Sequence, residues 1–378
     1  MLMQAADVVA RVHAAAADHE PLRIVGRGGW LHGGRPVSAT QRIELSALSG
    51  ITEYSPDDFT MTVGAGTTLA EIDAAARAHG QWLPLDPAGD GTGSIGATVA
   101  TASAGPLATG FGRPRDHLLG IEFVNGHGAV IKGGGRVMKN VAGFDLVRLT
   151  TGAWGTLGII TSVTLRLRAT VPGESLVAPL EAVPEAIERA ASGLRHLAVP
   201  PLAAELVGSP LAAAMGLPGH TALLVRVGGN AQSIHAQRAA LCALAPFQTA
   251  DDATWHRLRA SGGAADAVWR LSDRISRFAE TWAAAGVATD MAGGGMLHGS
   301  PLLGVVRCMV PAGREGNAAT RVAHAVAHPF AGRQVGEALP EGAWRAVPGT
   351  AGNDLSRRLR AAFDPAGILN PGIMGELT

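Results

Sequence analysis

Residues 86–167 read DPAGDGTGSIGATVATASAGPLATGFGRPRDHLLGIEFVNGHGAVIKGGGRVMKNVAGFDLVRLTTGAWGTLGIITSVTLRL, with glycines gathered at the ends of apolar runs. Backbone without a Cβ at such points permits close approach of a ligand and φ above zero. Gly91-Thr92-Gly93-Ser94-Ile95-Gly96 matches G-x-G-x-x-G, and Asp116 lies twenty residues beyond it, the spacing of a nicotinamide-dinucleotide fingerprint. The flanks exclude that reading. Pro84 and Pro87 are incompatible with a buried parallel strand ahead of the motif, and Gly105-Pro106 stops the helix behind it. What remains is a phosphate-hugging loop opening a short helical turn, with Ser94 and the amides of Ile95 and Gly96 as donors.

Upstream, residues 1–19 predict an amphipathic helix and Leu22 to Val25 a strand. The strand leads into Gly26-Arg27-Gly28-Gly29-Trp30-Leu31-His32-Gly33-Gly34, five glycines in nine residues. Such a loop either presents successive N–H groups to an anion or is a flexible surface turn. A strand from Thr60 to Val63 then runs into Gly64-Ala65-Gly66-Thr67-Thr68-Leu69 and a helix to about His79. Leu69 replaces the third glycine and Glu71 would face an incoming anion, so this reads as a structural turn. Downstream, Asn125-Gly126-His127-Gly128 predicts a hairpin between Leu118–Val124 and Ala129–Lys132. Asp145 is placed to cap a helix from Leu146 to Thr150, and Trp154 to Gly158 turn into a strand from Ile159 to Leu167. The chain's two lysines, Lys132 and Lys139, both fall in the opening stretch. There an ammonium suits a phosphate or a flavin edge, or simply stands on a solvated loop.

At 378 residues with 47% hydrophobic content the chain is expected to form two domains. Basic and acidic residues balance at 31 each without like-charge blocks, which leaves no electrostatic case for nucleic acid or an anionic membrane. Cys242 and Cys308 are far apart, which argues against a disulfide framework, a zinc site or an iron–sulfur cluster in this chain. No apolar run reaches spanning length, so no direct membrane insertion is expected. The setting reads as cytoplasmic, with any membrane association through a partner.

Taken together, Arg27 to Gly29, Val63 to Leu69, Gly93 to Gly96, the G-x-x-R-D of Gly112 to Asp116, the K-N-x-A-G-F-D of Lys139 to Asp145, the G-T-L-G-I-I-T of Gly155 to Thr161 and the ending Phe363 to Gly372 resemble the p-cresol methylhydroxylase/vanillyl-alcohol oxidase (PCMH) type of FAD-binding family. Within it the wording is most similar to the E-subunit family of bacterial glycolate oxidases, assemblies of two homologous flavoprotein subunits and an iron–sulfur subunit. The resemblance implies an α+β fold, a two-subdomain FAD-binding domain with a smaller α+β cap domain. The implied boundaries are 1–170 for the FAD domain, 171–349 for the cap, and 350–378 for a tail returning to the FAD domain. It implies amides from Arg27, Gly28, Gly29, Trp30, Leu31 and His32 on the FAD pyrophosphate, joined by Gly93, Ser94, Ile95, Gly96 and Val99, with Pro87 alongside. Gly112, Arg115 and Asp116 would lie along the cofactor, Ile160 would meet the adenine with its backbone, and Gly155, Gly158 and Ile159 of the same turn would be cofactor-binding. Some members attach FAD through a histidine after the glycine pair. Trp30 holds that position, so noncovalent FAD is expected.

The middle of the chain predicts strands at Leu223–Val227 and Leu302–Val310, and helices at Ala231–Leu244, Ala264–Ala285 and Ala318–Ala327. Trp269, Trp282, Met291 and Met296 read as core. His324 and His328 lie four apart without the glutamate a zincin needs, so no metal site is expected. Dehydrogenases of the family carry H-A-G-D-G-N-L-H, and Met291 to His298 keeps only its glycines and one histidine. Oxidising a small 2-hydroxy acid requires a base and a cation for the carboxylate. His298 is the candidate base and Arg270 or Arg307 the candidate cation, against a packed histidine and surface arginines. Three functions follow from the resemblance: an FAD-binding subunit within a glycolate oxidase complex, a stand-alone hydroxy-acid dehydrogenase, or an assembly subunit with a vestigial flavin site.

Overall fold

A computed structural model of the chain describes residues 4–39, 41–135, 144–264, 267–311, 317–327, 330, 333–349 and 351–375. Two compact units result, the first from Met1–Ala104, Gly112–Thr170 and Gly349–Thr378, the second from Gly105–Phe111 and Val171–Pro348. The short segment Gly105–Phe111 leaves the first unit because its own backbone is tied into the second, where the Gly110 N–H donates to Leu202 O at 3.1 Å.

In the first unit the helix Ala5–Asp18 buries Val8, Val12 and Ala15, spaced as one face of a 3.6-residue turn requires. It covers Leu22, Ile43, Val124, Ile159, Ile368 and Leu369. Strand Leu22–Val25 pairs in parallel with Gln41–Glu44, and Leu22 also bridges Leu369 in parallel, so the end of the chain is built into its beginning. An antiparallel sheet runs Ile51–Ser55, Thr60–Gly64, Ile159–Arg166, Leu118–Val124, Val130–Gly134 from edge to edge. Alternate residues Met61, Val63, Ile121, Phe123, Val163 and Leu165 face Ile72 and Ala76 of helix Leu69–Arg77 and Ile95 and Val99 of helix Ile95–Thr101. Each such fully buried side chain contributes about 1.5–3 kcal/mol. The hairpin expected around Asn125 is present, and Asn125 Oδ1 accepts from the amides of His127 and Ala129 at 3.1 and 3.0 Å. Asp145 caps Leu146–Thr150 by accepting from the Arg148 N–H at 3.0 Å. Lys139 and most of the K-N-x-A-G-F-D stretch lie outside the described residues.

The second unit is an antiparallel sheet in the order Gln248–Thr249, Gly173–Leu180, Thr221–Gly228, Ala203–Val207, Met296–Ser300, Val305–Val310, Ala267–Ser272, Gln334–Ala338. Helices Pro184–Arg195, Phe278–Met291 and Asn317–Ala327 supply Ile187, Trp282 and Val322 to the core over Trp269, Leu271, Val306 and Cys308. The expected helix over 264–285 is therefore wrong in its first part. Ala267–Ser272 is a strand whose Trp269 and Leu271 point alternately into that core, and the helix starts only at Phe278. Leu302 and Leu303 form a turn before the strand that begins at Val305. Trp269 and Trp282 are buried as expected, whereas Met291 is 56% exposed at the end of its helix. No helix among the described residues is long and apolar enough to cross a membrane.

Candidate cofactor site

The loop from Gly26 to Gly34 leaves strand Leu22–Val25 and folds back on itself, with the Leu31 N–H donating to Gly28 O and the Gly33 N–H to Trp30 O, both at 3.0 Å. Gly28 takes φ +86°, which favours glycine, and a Cβ on Gly29 would meet no atom within 4 Å. Among the described residues the amides of Gly28, Gly29, Trp30 and His32 have no protein acceptor, and these positions are partly or fully exposed. Four N–H groups without a protein acceptor, in one short glycine loop, make it a candidate anion nest. Arg27 is not part of it through its side chain. Its Nε donates to Gly66 O at 2.8 Å, and its guanidinium stands 3.8 Å from Glu71. Glu71 caps its own helix, its carboxylate accepting from the Thr68 N–H at 2.7 Å. That bond, then the Thr68 hydroxyl and Arg27, holds the carboxyl below its ordinary range. The Gly64–Leu69 segment is thus the structural turn its sequence suggested.

The G-S-I-G segment plays a different part from the one expected of it. The amides of Ile95 and Gly96 are already used, donating at 2.9 Å to Thr67 O and Ala65 O. Ser94 Oγ accepts from the Ala97 N–H as a helix cap, and Ser94, Ile95 and Val99 are 1%, 0% and 0% exposed. A ligand cannot reach these atoms in this conformation. The segment backs the loop instead, since a Cβ on Gly26 would collide with Ser94 Oγ. Gly93, partly exposed and with open space where a Cβ would stand, is the member that remains accessible. Pro87 is buried.

The turn at Gly112 has φ +93° and closes on Asp116, whose Oδ2 accepts from the Arg113 N–H at 2.8 Å. Arg115 is exposed and 3.7 Å from the same carboxylate. Beside it His117 is fully buried. Burial, helped by Arg168 and Arg166 against Gly112 and Asp116, keeps its imidazole below the ordinary histidine value. Trp154 sits at φ 52°, and its ring meets Trp30 edge-on at 5.5 Å. Gly158 packs against Phe123 and Val124, and Ile159 and Ile160 point into the core. Pairing of the central strand with Thr60–Gly64 ends at Ser162, so the Ile160 backbone lies beyond the last pair on that edge. Sequence reasoning missed Asn370. At 3% exposure and φ 42°, it accepts from the Ile24 N–H at 2.9 Å and donates to Trp154 O at 2.8 Å. One side chain thereby joins the nest's strand to the Trp154 turn.

In the second unit His298, Arg307 and Arg270 are cross-strand neighbours, His298 opposite Arg307 and Arg307 opposite Arg270. His298 Nδ1 lies 2.9 Å from Glu205 Oε2. Arg307 holds Glu337 at 2.8 and 2.7 Å through Nε and Nη2, and Arg270 stands 3.9 Å from it. Burial works to raise the Glu337 carboxyl, but Arg307 and Arg270 overrule it and hold it below its ordinary value. The arginines are not surface residues: Arg307 and Arg270 side chains are 14% and 27% exposed. Imidazole aside, two carboxylates balance two guanidiniums, and His298 Nε2 is buried with no hydrogen-bond partner among the described residues. His324 is exposed and His328 lies outside the described residues. No cluster of three or more metal-ligating side chains occurs among the described residues.

Residues 2–134, which include the glycine loop and its four open amides, match the family model of an FAD binding domain. Its open amides and side-chain-free glycines fit that cofactor. The chain is 38% identical over 158 residues to glycolate oxidase subunit GlcE of Escherichia coli (strain K12), covering 42% of this chain and 45% of that protein. It is 30% identical over 207 residues to glycolate oxidase subunit GlcD of Bacillus subtilis (strain 168), covering 54% and 43%. It is also 38% identical over 136 residues to the mitochondrial D-lactate dehydrogenase [cytochrome] of Arabidopsis thaliana, covering 36% and 24%. The matches therefore span less than half the length of these relatives. In fold the chain is similar to 4-ethylphenol oxidase from Gulosibacter chungangensis (TM-score 0.75, 17% identity, covering 98% of this chain and 88% of that one). It is likewise similar to p-cresol methylhydroxylase (TM-score 0.74, 15% identity, covering 98% and 87%). The fold is the PCMH type that the sequence motifs resemble.

Proposed function

We propose that this chain is the FAD-binding subunit of a glycolate oxidase, oxidising glycolate to glyoxylate together with a homologous catalytic flavoprotein subunit and an iron–sulfur subunit. At its coarser level the reading is an FAD-dependent oxidoreductase of hydroxy acids. The observation that supports it is the nest of free amides at Gly28, Gly29, Trp30 and His32 within an FAD binding domain, alongside the likeness to GlcE, GlcD and a D-lactate dehydrogenase. Bound there, FAD would supply the two-electron acceptor for a hydride from the α-carbon. The chain's own part is to hold two phosphate charges by backbone dipoles and, with Trp30 after the glycine pair, to leave the flavin uncoupled from the protein.

A second reading, a stand-alone dehydrogenase, draws on the row in the second unit. Glu205 orients the His298 ring through Nδ1, but Nε2 is buried and would have to be uncovered to take a hydroxyl proton, and Arg270 is the more exposed guanidinium for a carboxylate. The balanced charges of the row favour the first reading, because a substrate carboxylate would have to compete with Glu337. The chain is purified alone and with its partners, and the flavin spectrum is recorded before and after anaerobic glycolate. Yellow protein that bleaches only with the partners supports the complex. Rapid bleaching of the isolated chain supports the dehydrogenase, and absence of flavin in both preparations refutes both.

A further inference from the structure

Arg23 lies on the strand that leads into the loop, and its side chain reaches the carbonyls of that loop. Its Nη2 lies 3.2 Å from Trp30 O, 3.2 Å from Leu31 O and 3.3 Å from Gly33 O. One guanidinium thus collects three carbonyls of a single loop. The described chain contains no cis peptide, and in a trans peptide the carbonyl and the following N–H point in opposite directions. Fixing the Trp30, Leu31 and Gly33 carbonyls on Arg23 therefore turns the amides of Leu31, His32 and Gly34 away from it, and the His32 amide is one of the free donors of the nest. A cation on the oxygen of a peptide also polarises it, making its N–H the stronger donor.

Arg23 is itself held from both sides. The Leu22 N–H donates to Ile368 O at 2.7 Å and the Asn370 N–H returns to Leu22 O at 3.0 Å, while the Ile24 N–H donates to Asn370 Oδ1 at 2.9 Å. We propose that Arg23 is a positioning residue for the cofactor: from behind the loop it holds the carbonyls of Trp30, Leu31 and Gly33, so that the His32 amide, one of the loop's free donors, is preset for the FAD diphosphate. The inference rests on FAD being the ligand of this loop. It gives Arg23 a role that contact with the cofactor would not reveal.

The test uses the full chain stripped of flavin, titrated with FAD and followed by quenching of tryptophan fluorescence, since Trp30 lies in the loop and Trp154 packs against it. Arg23→Met is expected to raise the FAD dissociation constant about tenfold or more, equivalent to about 1.4 kcal/mol, with the flavin-free chain still melting cooperatively. Added methylguanidinium is expected to restore part of the affinity, which a general packing defect would not allow. Arg23→Lys keeps the charge without the planar fork and is expected to fall between the two; it carries the test if the methionine variant does not fold. Wild-type affinity in the variant, or weakening that methylguanidinium does not relieve, overturns the proposal. A wild-type chain that fails to bind FAD refutes the FAD reading, and the proposal with it.

Discussion

Two glycines of the first unit should fail in opposite ways when given a methyl group. A Cβ on Gly96 would stand 2.7 Å from Ala65 Cβ and 2.8 Å from Ala65 O, about 0.7 Å inside the 3.4 Å at which ordinary contact begins. Both neighbours are fixed by backbone, because the Gly96 N–H donates to that same Ala65 O at 2.9 Å. Relief requires moving the helix away from the turn. Overpacking of this kind costs about 1–3 kcal/mol, and weakening the buried hydrogen bond adds about 1 kcal/mol. Gly96→Ala should therefore lower the melting temperature of the flavin-free chain by several degrees. It should weaken FAD only indirectly, by shifting the Ser94 wall behind Gly26. Gly29 is exposed, and a Cβ there would meet nothing within 4 Å. Gly29→Ala should leave melting unchanged, or raise it slightly by restricting the unfolded chain. The same methyl stands where a diphosphate must approach the Gly29 and Trp30 amides, so FAD should bind about 10- to 100-fold more weakly. Differential scanning fluorimetry and FAD titration on both variants give a two-by-two result. If Gly29→Ala binds FAD with wild-type affinity, the diphosphate is not on this loop. If Gly96→Ala melts with the wild type, the packing argument is wrong.

Asn370→Ala leaves the Ile24 N–H and the Trp154 carbonyl without their partner and should cost about 2–4 kcal/mol in a urea titration; a loss below about 0.5 kcal/mol would count against the pinning role. Glu337 has its folded carboxyl below the ordinary value, so its stabilising contribution is complete above the unfolded carboxylate range, near pH 4.3, and is lost as pH falls through the lowered folded value. Glu337→Gln should therefore flatten the acid limb of a stability-against-pH series and lower the plateau above it, because Arg307 and Arg270 lose their shared counter-ion; an unaltered acid limb would contradict this. Acid precipitation should leave the FAD in the supernatant, whereas flavin retained in the pellet would mean a covalent link.

How far the sequence could be read depended on the range of the interactions. Glycine clusters between apolar runs and the Asp145 cap are local signals, and they mark the Gly26–Gly34 loop, the Gly64 turn, the Asn125 hairpin and the start of the Leu146 helix. That the Ile95 and Gly96 amides already have acceptors is not legible in the sequence, because those acceptors, Thr67 and Ala65, lie about thirty residues away, and nothing local marks a carbonyl as facing them. Arg23 was passed over for the same reason: a lone arginine in a strand gives no sign that three carbonyls of the next loop converge on it. At Ala267–Ser272 the signal was ambiguous, since a short apolar run followed by an alanine-rich helix continues the helical composition backwards. His298, Arg307 and Arg270 were each singled out, but strand register, which sets them side by side, is a tertiary property.

The pairing of Leu22 with Leu369 has a consequence for biosynthesis. The strand that carries the nest needs Ile368 and Asn370 to complete its hydrogen bonding, and its bond to Asn370 spans 346 positions of the chain. During vectorial synthesis, at about 5–20 residues per second, residues 171–348 emerge and are free to form their sheet while that strand still lacks its partner. Capture of the dinucleotide then has to follow the emergence of residues 368–370, and a nascent chain stalled before residue 368 should remain colourless.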